Sequence, residues 1–404
     1  MLIVGVFACA ATSGGAPAGT VLPEVAESPP PAAIVVSAPP PPPPPPPPDG
    51  ATIFAVGDII PHSSVVASAA NYAAIDASGA STNHDGWDAL LAEIAPLASA
   101  ADFAIVNLET PVAPGKNGQT AAKRFNAPVA MLDALAGAGF DAVSMANNHV
   151  WDQGRDGLIE TLEHVGTAGL VAAGAGPTCA GAQAPVLRTL GGIRVAWFST
   201  TRVANVHYNR EPDTACVNEF GLDRLVGQVT QAKQDGAEIV LMSVHWGVEY
   251  THTPHRWDRS LGRSLLEAGV DVIIGHHPHM LQPFEAFTAA DGRATWVAWS
   301  LGNFLVGQGW EGSGTRYNSI ETRDIGLMRI ELARDDSGRA IVKEMVVEAG
   351  FIERGAELCL HPPGSRSRVR PARLSDLRLA AQAAGAAGCD AIYAERERVI
   401  AGRL

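Results

Sequence analysis

Five short apolar runs in this 404-residue chain each end in side chains that can bind a cation or move a proton. Thr52–Val56 leads into Gly57-Asp58, Phe103–Val106 into Asn107-Leu108-Glu109, and Ala142–Met145 into Ala146-Asn147-Asn148-His149. Ile239–Val244 leads into His245-Trp246-Gly247, and Val270–Ile274 into Gly275-His276-His277-Pro278-His279. Carboxylate, amide and imidazole donors suit Zn²⁺, Mn²⁺ or Fe²⁺, and without a cysteine among them a soft thiolate centre is excluded. His277 and His279 stand two apart, so in extended backbone both face one side while His276 alternates away. A nucleophilic triad would need a Ser or Cys in a strained turn, but the chain has no GxSxG; a Walker-type phosphate loop is also absent.

Each residue has an ordinary reading beside the chemical one. Asp58 fits a turn, Glu109 a strand end before Thr110-Pro111, and Asn148 or Asp152 a helix cap. His245 beside Trp246 fits a hydrogen-bonded core imidazole. Five such coincidences at five strand ends explain the pattern less well than one shared cationic centre does. His62, His84, His164, His207 and His361 are read as surface or core residues.

Such a centre needs strands that deliver it. Between the apolar runs lie segments with helical periodicity: Trp87–Ala98, Val129–Ala138, Gly157–Ala168, Leu222–Gln234 and Arg259–Ala268. Gly139, Gly169, Gly236 and Gly269 follow four of them as stop signals. Open α/β sheets hold ligands beyond the carboxyl ends of their strands, which is where the five groups fall. Val186–Leu190 and Ile193–Ser199, joined by Gly191-Gly192, read as a hairpin, and further strands fit Pro283–Thr288, Thr295–Ser300, Ile325–Leu332 and Ala340–Val347. Units of βα mixed with hairpins predict a layered α/β sandwich with mixed sheets.

Composition sets the limits. Hydrophobic content of 47% with 18% charged residues belongs to a chain that buries a large core. The net charge of −13 shows no basic stripe, which argues against nucleic acid as a partner. Residues 1–50 hold 15 of the 29 prolines and no Lys or Arg, so the folded body is expected over 51–350. Residues 351–404 form an Arg/Ala-rich extension, whose Arg366, Arg368, Arg370, Arg373 and Arg378 read as a solvated appendage.

At the start, Val6-Phe7-Ala8-Cys9 resembles a bacterial lipobox, with residues 1–9 as a signal and 10–50 as a Pro-rich linker. Lipidation at Cys9 would make the protein an extracytoplasmic, membrane-anchored lipoprotein. Pro39 to Pro48 would then be a stiff spacer. Cys179, Cys216, Cys359 and Cys389 remain. Pairing neighbours as Cys179–Cys216 and Cys359–Cys389 is the simplest of three connectivities, with four free thiols as the alternative.

GDIIP, NLETPV, RFNAP, GFDAVSMANNHVWDQG, VHWGVEY, DVIIGHHPHMLQPFE and SLGNFLVGQ, in unbroken order from about Ala51 to Glu348, resemble the CapA-type poly-γ-glutamate capsule synthesis family. That family is similar to the calcineurin-like metallophosphoesterases, which implies a four-layered α/β/β/α sandwich with mixed sheets and a site for one or two divalent ions (Mn, Zn or Fe). The resemblance implies Asp58, Glu109, Asn148, His245, His277 and His279 as metal ligands, with Glu109 bridging, and His149 as proton donor beside Asn148. Arg124 (with Lys123), Tyr250 and Asn303 are the implied substrate contacts. Ile60 stands where metallophosphoesterases carry a histidine ligand, two positions after the first aspartate. The implied activity is a metal-dependent hydrolase acting in synthesis, export or trimming of an anionic γ-linked glutamate polymer, beside membrane-bound polymer synthetase components. A phosphoester substrate unrelated to the polymer and a non-catalytic polymer-binding lipoprotein are the two other readings.

Overall fold

The strand β1 (Gly50–Ile60) shows why the sequence folds in layers. Ile53 and Ala55 point to one core and Phe54 and Val56 to another, because successive side chains leave a strand on opposite faces. The computed structural model describes residues 50–75, 78–116, 124–206, 214–309, 319–354 and 369–404. The expected signal over 1–9 with Cys9, the polyproline spacer, Lys123, His207, Cys359, His361, Arg366 and Arg368 lie outside the described residues.

From β1 the chain passes through α1 (Ser63–Ala70), α2 (Trp87–Leu91) and α3 (Ala95–Ala98) to β2 (Phe103–Leu108). Then come α4 (Ala130–Gly137), β3 (Ala142–Ser144), α5 (Gly154–Thr167) and β4 (Val171–Ala173). The helix expected over Trp87–Ala98 is thus two short ones, since Pro96 in the first turn of α3 has no N–H to continue a helical ladder. After β5 (Ala175–Gly176) and α6 (Cys179–Gln183), β6 (Val186–Leu190) and β7 (Ile193–Thr201) form the expected hairpin. Next are β8 (Cys216–Val217), α7 (Leu222–Gln234), β9 (Ile239–His245), α8 (Arg256–Glu267) and β10 (Val272–His276). The chain closes with β11 (Leu281–Thr288), β12 (Ala294–Leu301), β13 (Asn303–Val306), β14 (Asp324–Arg334), β15 (Ala340–Arg354), β16 (Val369–Arg373), α9 (Leu374–Ala383) and α10 (Ala387–Ala401).

Among the described residues, eight strands form one sheet in the order β16-β15-β14-β1-β2-β3-β4, with β13 also on β1. Six form a second, β11-β12-β10-β9-β7-β6. In the first sheet β1, β2, β3 and β4 run parallel, β14 pairs antiparallel with β1 and β15 antiparallel with β14; in the second β7, β9, β10 and β12 run parallel. The inner faces meet: Ile53, Phe103 and Ile105 pack with Trp197, Leu241, Val272 and Ile274. The outer face of the first sheet is covered by Trp87, Leu91, Met131, Leu135 and Leu158, and that of the second by Leu225, Val229, Leu265 and Leu266. This is a four-layered α/β/β/α sandwich with mixed sheets. Each fully buried Leu, Ile or Val in these cores stabilises it by about 1.5–3 kcal/mol before entropy is counted.

The C-terminal arginines require a correction. β15 runs past the expected boundary at 350, β16 pairs with it, and α9 and α10 bury Leu377, Tyr393 and Ile400. Arg370 is buried between Glu353 (2.5 Å) and Glu93 (2.6 Å), and Arg396 holds the fully buried Asp324. Carboxylates on core strands draw these guanidinium groups inward, so the segment from Val369 is part of the body rather than a solvated appendage. Cys179 and Cys216 form a disulfide, and Cys389 is also disulfide-bonded. Among the described residues no helix is long and apolar enough to cross a membrane.

Candidate metal centre

The parallel strands β1, β2, β3, β9 and β10 end at one edge of the sandwich, and the expected donors meet there. Asp58 and Glu109 are fully buried, and Asn148, His245, His277 and His279 are nearly so. Two glycines let backbones close in. A Cβ on Gly57 would lie 2.0 Å from the Gly302 carbonyl oxygen, and one on Gly275 1.9 Å from that of Trp299. Beyond these points Asp58 faces Asn303 across β1 and β13, and His276 faces His245 across β10 and β9.

Asp58 is the hub. Its Oδ1 accepts from Asn107 Nδ2 (2.8 Å) and lies 3.2 Å from His276 Nδ1. Its Oδ2 lies 3.2 Å from His279 Nδ1 and accepts from the His277 backbone N–H at 3.3 Å. His245 Nε2 is 2.9 Å from Asn148 Oδ1 and 3.5 Å from Glu109 Oε1, and His279 Nε2 is 3.8 Å from the same oxygen. The six residues drawn from five strand ends therefore share one pocket. Ile60 is instead buried in the apolar core of the outer layer, so no imidazole enters from that position.

The histidines reach the pocket by a different geometry from the one alternation predicts. His277 and His279 have φ of 95° and 55°, in the left-handed region, and Tyr250 beside them has φ of 59°. Such conformations cost about 1–3 kcal/mol each for non-glycine residues and persist where surrounding structure fixes them. The turn that begins at His277 also explains His276. Expected to point away, it is buried against Asp58, because β10 ends there and the strict two-residue period ends with it.

Electrostatics and unsatisfied atoms test whether an ion fits. Burial and then the charges of Asp58, Glu249 and Asp152 push the Glu109 carboxyl well above the usual range. Burial opposes ionisation of Asp58 too, but hydrogen bonds to His276 and His279 outweigh it and hold that carboxyl well below. Burial keeps His245 well below the ordinary imidazole range and lowers His277 to about 3, with the neighbouring His279 adding to the shift at His277. Both shifts favour the neutral ring, the form that offers a lone pair to a cation. Both oxygens of Glu109, Nδ1 of His245 and Nδ1 of His277 are buried without a hydrogen-bond partner. A buried polar atom left unpaired costs about 1–3 kcal/mol, so four in one pocket need a common partner. Donor atoms of Glu109, His245 and His277 lie within 4.8 Å of one another, as do those of Asp58, Glu109 and His279. Glu109 belongs to both sets. Oxygen and imidazole donors in this arrangement fit a divalent cation.

Beside this cluster, His149 Nδ1 is 2.8 Å from Asp152 Oδ2, and its ring centroid is 4.4 Å from that of Phe125. The same Oδ2 of Asp152 also accepts from the Phe125 backbone N–H at 2.7 Å. Asp152, read as a possible helix cap, is an anchor for the imidazole; the three-residue spacing in His149-Val-Trp-Asp152 was its only signal. Tyr250 is half-buried with its ring 5.9 Å from His279 and its hydroxyl accepting from Gln308. Arg124 is exposed, one residue before Phe125. Asn303 corrects the expectation of a substrate contact. It is fully buried, donates to the carbonyls of His279 and Thr322 and to Gln308 Oε1, and its Oδ1 is 3.1 Å from His279 Nδ1. Its amide is used up in holding the histidine.

Comparison with known proteins gives a consistent result. The profile of the family described as bacterial capsule synthesis protein PGA_cap matches residues 52–308. The chain is 31% identical to the PGA biosynthesis protein CapA of Bacillus subtilis over 261 residues, 64% of this chain and 65% of that protein. It is 32% identical to the capsule biosynthesis protein CapA of Bacillus anthracis over 267 residues, 64% of this chain and 61% of that one. The match thus spans less than two thirds of the length of either relative. Among solved structures, Haemophilus influenzae NAD nucleotidase aligns at a TM-score of 0.42 and 13% identity over 75% of this chain and 58% of that chain.

Proposed function

The chain belongs to the bacterial capsule synthesis family PGA_cap, and from that premise we propose that it is a metal-dependent hydrolase acting on poly-γ-glutamate during capsule synthesis, export or trimming. The observation that carries this reading is the pocket in which Asp58, Glu109, Asn148, His245, His277 and His279 converge with four buried donor atoms unpaired. The names of the two Bacillus relatives support the polymer class.

Asp58, Glu109, Asn148, His245, His277 and His279 would hold the ion or ions. A divalent ion bound there would supply Lewis acidity and the positive charge that an anionic substrate needs beside the buried carboxylates of Asp58 and Glu109. The chain's own groups do the rest. Asp152 fixes His149 through Nδ1, which leaves Nε2 of the imidazolium as the atom that delivers a proton to the leaving group, the ring then remaining neutral with its Nδ1–H on Asp152. Phe125 packs on the same ring and limits its rotation. Asn303 and Asn107 keep His279 and Asp58 in place. The half-buried Tyr250 and the exposed Arg124 are the candidate contacts for substrate carboxylates.

The Cys179–Cys216 disulfide supports a location outside the cytoplasm, where such bonds persist. Anchoring through Cys9, beside polymer synthetase components, belongs to the same proposal.

The test is metal analysis of the purified protein, followed by hydrolysis assays on poly-γ-glutamate and on a generic phosphodiester. Bound metal with shortening of the polymer is the expected result. Turnover of the phosphodiester alone would move the substrate to the phosphoester class, and bound metal without turnover of either would make the pocket a binding site.

A further inference from the structure

Glu249 is an exposed acid on the loop after β9 that has no ion-pair or hydrogen-bond partner among the described residues, yet it stands at the mouth of the pocket. Its carboxylate lies within 4.8 Å of donor atoms of both His277 and His279, which themselves lie within that distance of each other. The placement is built in. Tyr250 donates its backbone N–H to the Pro278 carbonyl at 2.8 Å, so the residue after Glu249 is tied to the residue between the two histidines. Left-handed φ values at Gly247 (95°) and Tyr250 (59°) turn the loop toward that contact.

We propose that Glu249 is a metal ligand, closing a three-donor set with His277 and His279 on the solvent side of the pocket; this rests on the metal-centre reading above. A second observation agrees: His277 is only 5% exposed, and its Nδ1 has no hydrogen-bond partner. The chemistry is also right, since one carboxylate and two imidazoles with a position left open to solvent is a donor set used by catalytic zinc-type sites. It further answers the departure at Ile60. The first strand gives a core side chain where a ligand was expected, and the loop after β9 brings an acid to the same pocket from the other sheet. Glu249 would hold the ion from the exposed side of the pocket, where a substrate carboxylate or phosphate would approach, whereas Glu109 is fully buried.

The experiment is calorimetric titration of the metal-stripped full-length protein with Mn²⁺, comparing wild type with Glu249→Gln and Glu249→Asp. Wild type should take up two ions. Glu249→Gln should lose one, or bind it at least tenfold more weakly, while Glu249→Asp keeps it in part. In the Co²⁺-loaded protein, Glu249→Gln should also alter the visible absorbance of the ion. Since Glu249 is exposed and unpaired, the variants should keep the wild-type melting temperature. Unchanged Mn²⁺ stoichiometry and affinity in Glu249→Gln would overturn the assignment while leaving the metal centre standing. A wild type that binds no Mn²⁺ at any site would remove the centre itself and Glu249 with it.

Discussion

His149 Nδ1 lies 2.8 Å from Asp152 Oδ2, and both side chains are largely shielded from water. A carboxylate at Nδ1 accepts that N–H and orients the ring, so in the proposed hydrolase Nε2 is the nitrogen that gives up a proton, from the imidazolium. Asp152→Asn should therefore lower kcat by about 10²–10⁴-fold while metal content stays at the wild-type value. Turnover and metal analysis on the same preparation check this. A full rate in the variant would remove His149 from proton transfer or Asp152 from its support.

In the proposed metal centre Asn303 would support the ion through His279. Removing its amide in Asn303→Ala should weaken Mn²⁺ binding by about 10–100-fold, the usual effect of losing a group that orients a ligand. It should also cost about 1–3 kcal/mol of stability, because the carbonyls of His279 and Thr322 lose a buried donor. Calorimetry and urea unfolding read the two effects separately. Loss of stability with unchanged Mn²⁺ affinity would confine Asn303 to packing.

The Arg396–Asp324 pair joins α10 to β14 in the interior, with Asp324 fully buried. Breaking it in Arg396→Ala leaves a carboxylate without its main counter-charge and should destabilise the fold by about 3–5 kcal/mol. Replacing both partners by apolar residues, Arg396→Met with Asp324→Leu, should recover much of that loss. Urea midpoints of the three proteins decide it.

Glu321 gives the acid-pH prediction. Burial would raise its pKa, but hydrogen bonds from His252 and Arg403 overcome that and lower it from 4.5 to about 2. A depressed folded pKa means that the stabilisation is fully present above the unfolded value and disappears as pH falls through the folded one. The stability difference between wild type and Glu321→Gln should stay constant from neutral pH down to 4.5 and shrink between there and about 2. The side chain is only partly buried, so solvent screening keeps the difference small. A gap that persists unchanged to pH 2 would exclude the ionised carboxylate as its source.

The Cys179–Cys216 bond closes a loop across 37 residues. Replacing both by alanine should lower stability by about 2–4 kcal/mol. Using the double variant rather than a reductant leaves the bond at Cys389 intact, so the change in unfolding midpoint belongs to this bridge alone.

Much of the architecture was readable because local chemistry repeats. Alternation in Ile53-Phe54-Ala55-Val56 assigns two faces to β1, and glycine after a helical stretch ends it, so strands and helices could be placed without their partners. The same logic put Asp58, Glu109 and His245 at strand ends. It failed at His276 and at the extended reading of His277 and His279, because residues in the left-handed region break the two-residue period. It also failed for Arg370, whose charge reads as solvated until Glu93 and Glu353 are found beside it.

By itself, then, the sequence determined the layers and the kinds of donor atom available, since period and residue type are local properties of the chain. Tertiary structure alone decided which donors share one pocket, that Asn303 bonds His279, and that Glu249 stands within reach of His277 and His279. Those relationships depend on distances between strand ends of two different sheets, and only the packing of the sheets sets such distances.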